Sequence, residues 1–381
     1  MRSRYLCIVI ALACCCFSFP ATGGESHTTR GNQFIAFNSF RNFAKSAGDA
    51  SGEFVLTSRP IRARIEWDEL VASWNLEGAP DASLKVEVRA LHGGHVTKWF
   101  CMGLWSVNPT NHTRESVRGQ KDSDGDVDTD TLVLKQPARE FQLRLTLSNA
   151  ASRSSRLKFA SVSLLNTRTA RAALPPNRKA WGRLIDVPER SQMVYENGWV
   201  ICSPTTVSMM LAHWSRELNS VALDEGVPGV VKGVYDPQWK GTGNWAFNMA
   251  YAGSFKGIRA YTARLSDVSE LEDWVAQGIP VGLSVCYNLL RSKGESGNGH
   301  LVVCVGFTEN GDVIINDPGT TKNVRKTFSR ANLIKAWAYS KNACYFVYPE
   351  DASVPRDRFG HWDSWTARSK IELLRPSTDI Q

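Results

Sequence analysis

Apolar positions follow two different periods in the two halves of the chain. From about residue 56 to 166 they alternate with polar ones. SLKVEVRAL sets Leu84, Val86, Val88 and Ala90 on one face, and EFQLRLTLS does the same for Phe141, Leu143, Leu145 and Leu147. RIEWDEL, TDTLVLK and RLKFASVSLL read as further short strands between polar turn clusters. A period of two repeated over many short segments predicts an antiparallel β-sandwich. Residues 24–55, polar and rich in Gly and Ser, read as a loose lead-in. Residues 167–180, TRTARAALPPNRKA, read as a linker. After Trp181 the period lengthens. Val207, Met210, Leu211, Trp214 and Leu218 recur at helical spacing, with Ser203 as N-cap and Pro204 at the first helical position. A second helix spans 266–278, capped by Ser266 and ended by Gly278. IPVGLSV reads as a buried strand, and GHLVVCVGFTENGDVIINDPG as a hairpin turning at Asn310-Gly311, followed by a last strand, CYFVY. This second domain covers 181–349; a polar tail, 350–381, is expected to be poorly ordered.

The helix after Cys202 gives the chain its candidate chemistry. A sulfur beside a helix N-terminus meets a partial positive charge that favours the thiolate. His300 opens the first hairpin strand and Asp317 closes the second, so folding the hairpin returns the carboxylate to the imidazole. That is the pair a cysteine nucleophile requires, one group to take the proton and one to hold the tautomer. The hairpin register is not fixed by the sequence, which leaves Asn316 as the alternative orienter. Gln192, ten residues before Cys202, can offer a side-chain N–H to an oxyanion. His213 lies on the Cys202 helix about 16 Å further along it, too far to act as base. Tyr235, Asn244 and Trp245, in the irregular stretch 219–256, are candidates for substrate contact.

Gln192, the CSPTT run, GHLVVCVGF and INDPG together resemble the family-39-like cysteine peptidases, papain-like relatives of the enzymes that remove bacteriocin leader peptides. The resemblance covers roughly 180–349 and extends to VYDPQWKGTGNWAFNMAYA and GIPVGLSV, which look like a secreted bacterial subgroup. It implies an α+β fold in which a helix bearing the nucleophile packs on an antiparallel sheet. The residue after the nucleophile, often Gly in the wider family, is Ser203 here.

Composition narrows the setting. The chain has 381 residues, 43% of them hydrophobic, enough for two packed domains. Residues 1–23 read as an export signal: Arg2 and Arg4, then an apolar run from Tyr5 to Phe19, then small residues. Location outside the cytosol follows, with lipid anchoring at Cys14 the lesser alternative. The net charge of +8 is spread without a basic block and gives no support for nucleic-acid binding. With the signal removed, Cys101, Cys202, Cys286, Cys304 and Cys344 remain. An odd count leaves at least one thiol unpaired. No cofactor or metal is expected. The acidic stretch 122–130 lacks EF-hand spacing and reads as a solvated turn. Trp67, Trp74, Trp99 and Trp105 suggest a sugar- or wall-binding face as an alternative to sandwich core. The function expected is peptide hydrolysis by Cys202, His300 and Asp317 with Gln192. The alternatives are a non-catalytic wall- or carbohydrate-binding protein that grips peptides, and a transglutaminase-like acyl transferase.

Overall fold

The computed structural model describes residues 31–363, except 79–80, 111, 149–155, 170–172, 295–296 and 298. Strands β1 (Asn32–Phe37), β2 (Ala44–Ala47), β3 (Phe54–Thr57), β4 (Ile61–Glu77), β5 (Ser83–His92), β6 (His95–Val96), β7 (Phe100–Ser106), β8 (Gly125–Asp128), β9 (Thr131–Ser148) and β10 (Arg156–Leu165) form the N-terminal half. The alternation in the sequence explains the pairing of β5 with β9. Leu84 lies opposite Leu147, Val86 opposite Leu145, Val88 opposite Leu143 and Ala90 opposite Phe141, and all eight are buried. Such directly opposed apolar pairs are the unit of sheet stability.

The second half opens with α1 (Cys202–Glu217), α2 (Gly226–Val234) and α3 (Trp245–Ser254), and continues with β11 (Ile258–Arg264), α4 (Val268–Ala276), β12 (Val281–Cys286) and the single turn α5 (Tyr287–Leu290). It closes with β13 (Gly299–Phe307), β14 (Val313–Asn316), β15 (Arg325–Phe328), α6 (Arg330–Ala338) and β16 (Ala343–Pro349). Its six strands run β11-β16-β12-β13-β14-β15, each pair antiparallel. Helix α1 packs on this sheet where Gly282 leaves room. A Cβ there would lie 3.2 Å from Thr206 and 3.4 Å from the Met210 sulfur.

Several expectations need correction. The expected lead-in, 24–55, is not loose where it is described, from residue 31 on. All six residues of β1 are buried, and the strand pairs with β10 from Asn32↔Leu165 to Phe37↔Ala160. The part of the tail described here is docked as well. A short strand, β17 (Trp362–Asp363), runs parallel to β1, and Trp362 packs in an aromatic cluster with Phe34, Tyr261, Trp274 and Phe346. Residues 364–381 and the expected export signal lie outside the described residues. Helix caps shift: α1 starts two residues earlier than expected, at Cys202, with no side-chain cap, and Asp267, not Ser266, caps α4. Leu218 is exposed just past the end of α1. No helix among the described residues is long and apolar enough to cross a membrane.

Three of the four tryptophans weighed between sandwich core and a sugar-binding face are core. Trp67, Trp74 and Trp105 are fully buried, and Trp99 lies between the guanidinium groups of Arg89 and Arg144 at 4.5 and 4.3 Å. The two halves are joined by polar contacts to backbone. Arg114 donates to the carbonyls of Lys232 and Tyr235, the Ser116 N–H donates to Asp236, and Asn75 makes two bonds to Ala260. Asp130 is no solvated turn residue. It is buried and accepts the Trp245 N–H at the start of α3. Of its acidic neighbours, Asp122 pairs with Lys98 and Asp124 with His95.

Candidate active site

The hairpin of β13 and β14 turns through 308–312, where Gly311 takes φ +82°. A bulge between Cys304 and Gly306 sets the register that the sequence leaves open. Val303 then pairs with Asn316, and the following Asp317 lies close to His300. His300 Nε2 is 2.8 Å from Asp317 Oδ1. Asn316 belongs to the other face, where its amide donates to the carbonyl of Val187 at 3.1 Å and its oxygen accepts from Arg325.

His300 uses Nε2 for Asp317, which leaves Nδ1 as the ring nitrogen available to the neighbouring Cys202. Burial pushes the Cys202 thiol up, but the bond to His300 and the charge of its imidazolium outweigh burial and hold the thiol below its ordinary value. The N–H groups of Leu301 and Ser203 act in the same direction. Burial pulls His300 down, and its bonds to Asp317 and Cys202 overcome this, raising it to about 9. Burial would also raise Asp317, yet His300, Tyr287 and the Gly319 N–H keep it below the usual carboxylate range. The state favoured by these opposed shifts is thiolate, imidazolium and carboxylate in a row.

Gln192 begins a 3-10 turn capped by Ser191, and its N–H donates to the Pro318 carbonyl at 2.9 Å, beside Asp317. Its side chain is buried and Oε1 has no partner. An amide turned about its last torsion exchanges its two ends, so this group is open to either a donor or an acceptor. Cys202, His300, Asp317 and Gln192 thus gather at the start of α1 and the open end of the hairpin.

The three residues expected to contact substrate separate. Asn244 is fully buried and caps α3, accepting the Phe247 N–H at 3.1 Å, so its side chain faces no cleft. Trp245 is half-buried against the core. Tyr235 is 44% exposed.

Tyr287 went unnoticed in the sequence. Its hydroxyl donates to Asp317 Oδ2 at 2.8 Å, and its ring centroid lies 4.1 Å from that of His300. It directly follows β12, the strand beside β13, and only that pairing singles it out. Gly319 is the second omission. A Cβ there would lie 3.0 Å from the Tyr287 hydroxyl, 3.1 Å from His300 Cε1 and 3.2 Å from Asp317 Oδ1. The five cysteines among the described residues are all free, and Cys202 alone of them is not fully buried.

Residues 184–345 match the Peptidase_C39 like family, and residues 51–166 match the Peptidase C39 N-terminal domain. Residues 184–345 belong to the peptidase C39-like family. Among solved structures it is similar to a putative C39-like peptidase from Bacillus anthracis, with 18% identity over 43% of this chain and 97% of that one, at a TM-score of 0.31. A structure of infectious bursal disease virus Gx strain matches with 10% identity over 36% of this chain and 33% of that one, at a TM-score of 0.16. A structure titled for promiscuous carbohydrate-binding modules of the β-sandwich super family matches with 14% identity over 37% of this chain and 57% of that one, at a TM-score of 0.14. No curated protein matches this C39-like chain.

Proposed function

We propose that this protein is an exported cysteine peptidase in which a papain-like domain, helix first and sheet after, follows an N-terminal β-sandwich. Membership of the C39-like peptidases supports a cysteine hydrolase acting on peptides. What supports the finer reading most is the 2.8 Å bond of His300 to Asp317 with Cys202 beside the same imidazole, the thiol lowered and the imidazole raised by that pairing.

In this reading the Cys202 thiolate attacks a scissile carbonyl carbon, and the carbonyl π electrons move onto oxygen. The Cys202 N–H, at the first turn of α1, and the Gln192 amide donate to that oxyanion, each donor contributing about 3–4 kcal/mol in sites of this kind. The C–N bond breaks as His300 gives its proton to the leaving amine, leaving a thioester on Cys202. His300 then takes a proton from water, whose oxygen attacks the thioester, and the thiolate leaves as the acid product forms. Asp317 holds the ring and the tautomer throughout and carries no proton.

The test is cleavage of a mixed peptide library by the full chain beside its Cys202→Ala form, read by mass spectrometry with a primary amine present. New termini in the wild type alone support the proposal. Incorporation of the amine in place of hydrolysis would convert the reading to acyl transfer, and equal products from both proteins would end it.

A further inference from the structure

The loop that joins Gln192 to Cys202 displays apolar side chains to water. Met193, Val194, Tyr195, Trp199 and Val200 are all exposed, Trp199 by 74% and Val194 by 68%. Five of the fourteen exposed large hydrophobics among the described residues therefore fall within these eight positions. Scattered single apolar residues need no explanation, but a cluster does.

The backbone beneath them is built to hold this display. The Tyr195 N–H donates to the Gln192 carbonyl, the Gly198 N–H to Tyr195, and the Val200 N–H to Asn197. Asn197 takes the left-handed conformation, at φ +57°. Gly198 lies so close to Gln192 that a Cβ would be 2.2 Å from its carbonyl oxygen. The Thr242 hydroxyl donates to the Val200 carbonyl at 3.4 Å and joins this loop to a second one, 235–244, which exposes Tyr235 and Trp239. That second loop is fastened from within by buried Asp236, which accepts from the N–H groups of Ser116, Gln238 and Trp239. These hydrogen bonds tie down the backbone of both loops beneath the exposed side chains.

Where the loop stands indicates what covers it. Met193 follows the candidate oxyanion donor, and Val200 precedes the candidate nucleophile by two residues. A peptide bound at Cys202 would therefore lie within reach of this loop, at about 3.3–3.6 Å per extended residue.

We propose that the 193–200 loop, with Trp199 and Val194 as its principal contacts, is a specificity wall selecting peptide substrates that carry a large apolar side chain beside the scissile bond. The proposal rests on the peptidase reading above. It deepens that reading by naming the substrate class. An apolar pocket discriminates by about 10- to 200-fold for each methylene-sized difference, so the preference is measurable.

The test uses the full chain, Trp199→Ala and Val194→Ser, with paired peptides bearing Phe, Leu or Gly at each position flanking the cleaved bond. Both substitutions are at exposed positions and leave the triad in place. Wild type is expected to prefer Phe or Leu to Gly at one flanking position by about tenfold or more in kcat/KM. Trp199→Ala should lose most of that preference while its rate on the Gly peptide changes by less than about twofold. An unchanged preference in both variants overturns the proposal. So does a concentration-dependent dimer that Trp199→Ala dissolves without altering peptide preference, since the wall would then belong to a second copy. Binding of the same peptides to Cys202→Ala separates the two claims. Preferential binding of the Phe peptide, lost in Cys202→Ala/Trp199→Ala, upholds the wall even if the wild type cleaves nothing.

Discussion

The Tyr287 hydroxyl donates to Asp317 Oδ2 across 2.8 Å, on the side of the carboxylate opposite the oxygen that faces His300. The carboxylate is thereby fixed in plane and orientation, with Lys326 3.9 Å from the same Oδ2. Tyr287→Phe keeps the ring against His300 and removes only the donor. A hydrogen bond to a charged group contributes about 1.5–3 kcal/mol. If that stabilisation is used to orient the ring, kcat falls by about ten- to a hundredfold while KM changes little. Alkylation of Cys202 should slow in parallel, a readout that a loss of fold stability alone would not move at temperatures well below Tm.

The opposed shifts of Cys202 and His300 set a pH window. Thiolate and imidazolium coexist above the lowered value of Cys202 and below the value of about 9 for His300. Cleavage and alkylation are therefore expected to set in at lower pH than an ordinary thiol allows, with cleavage declining through about 9. These limits belong to the coupled pair and not to either residue alone. Cys101 and Cys304, raised by burial to about 11 and 12, should stay unlabelled in the folded protein. Mass mapping after brief iodoacetamide treatment at pH 6.5 checks this. Label spread evenly over the five thiols would contradict it. Stability carries a matching sign. His300 is raised from 6.5, so its contribution is complete below 6.5 and disappears as pH rises through about 9. Asp317 is lowered from 3.8, so its contribution is present above 3.8 and disappears as pH falls through its lower folded value.

Gly319 tests how little movement the site tolerates. Its backbone is not in the left-handed region, so Gly319→Ala adds no torsional strain and acts only through the new methyl. That methyl would touch Tyr287, His300 and Asp317 at 3.0–3.2 Å, and the three must yield by a fraction of an ångström. A displacement near 1 Å in such a site costs about a hundredfold in rate, so about tenfold is expected here, with Tm nearly unchanged. Full activity in Gly319→Ala would mean that the imidazole is not held to this tolerance.

What was legible in the sequence was local. The alternation in SLKVEVRAL and EFQLRLTLS specified faces because every second side chain of a strand points the same way, and those faces do meet across β5 and β9. The motifs around Cys202, His300 and Asp317 drew attention because type, order and spacing coincide within short runs. What escaped notice depends on pairings far apart in the chain. Tyr287 meets His300 only because β12 lies beside β13. Strands β1 and β17 pair across more than three hundred residues, so polar segments at both ends of the chain read as loose when each in fact completes the other's packing. Asn244 failed as a substrate contact for a related reason. An Asn before a helix is a cap by local chemistry, and its burial beside Asp236 is a tertiary contact that the local sequence does not show.

Asp130 joins the two halves and is the one carboxylate in that junction raised to about 6, because burial outweighs its bonds to the Trp245 N–H and the Thr131 hydroxyl. A carboxyl raised on folding takes up its proton more readily in the native state, so this group adds stability as pH falls from about 6 towards 3.8 and opposes folding when ionised above 6. Asp130→Asn keeps an oxygen for the α3 N-terminus, since Asn caps as well as Asp, and removes the buried charge. At about 1.4 kcal/mol per pKa unit the gain at pH 7.5 is on the order of 1–3 kcal/mol, a rise in Tm of about 3–6 °C that should shrink to about a third near pH 4.5. Differential scanning calorimetry at the two pH values decides it. A fall in Tm at pH 7.5 would show instead that the charge is needed, with buried Arg264, already paired with Glu69 at 3.0 Å, as the cation that depends on it.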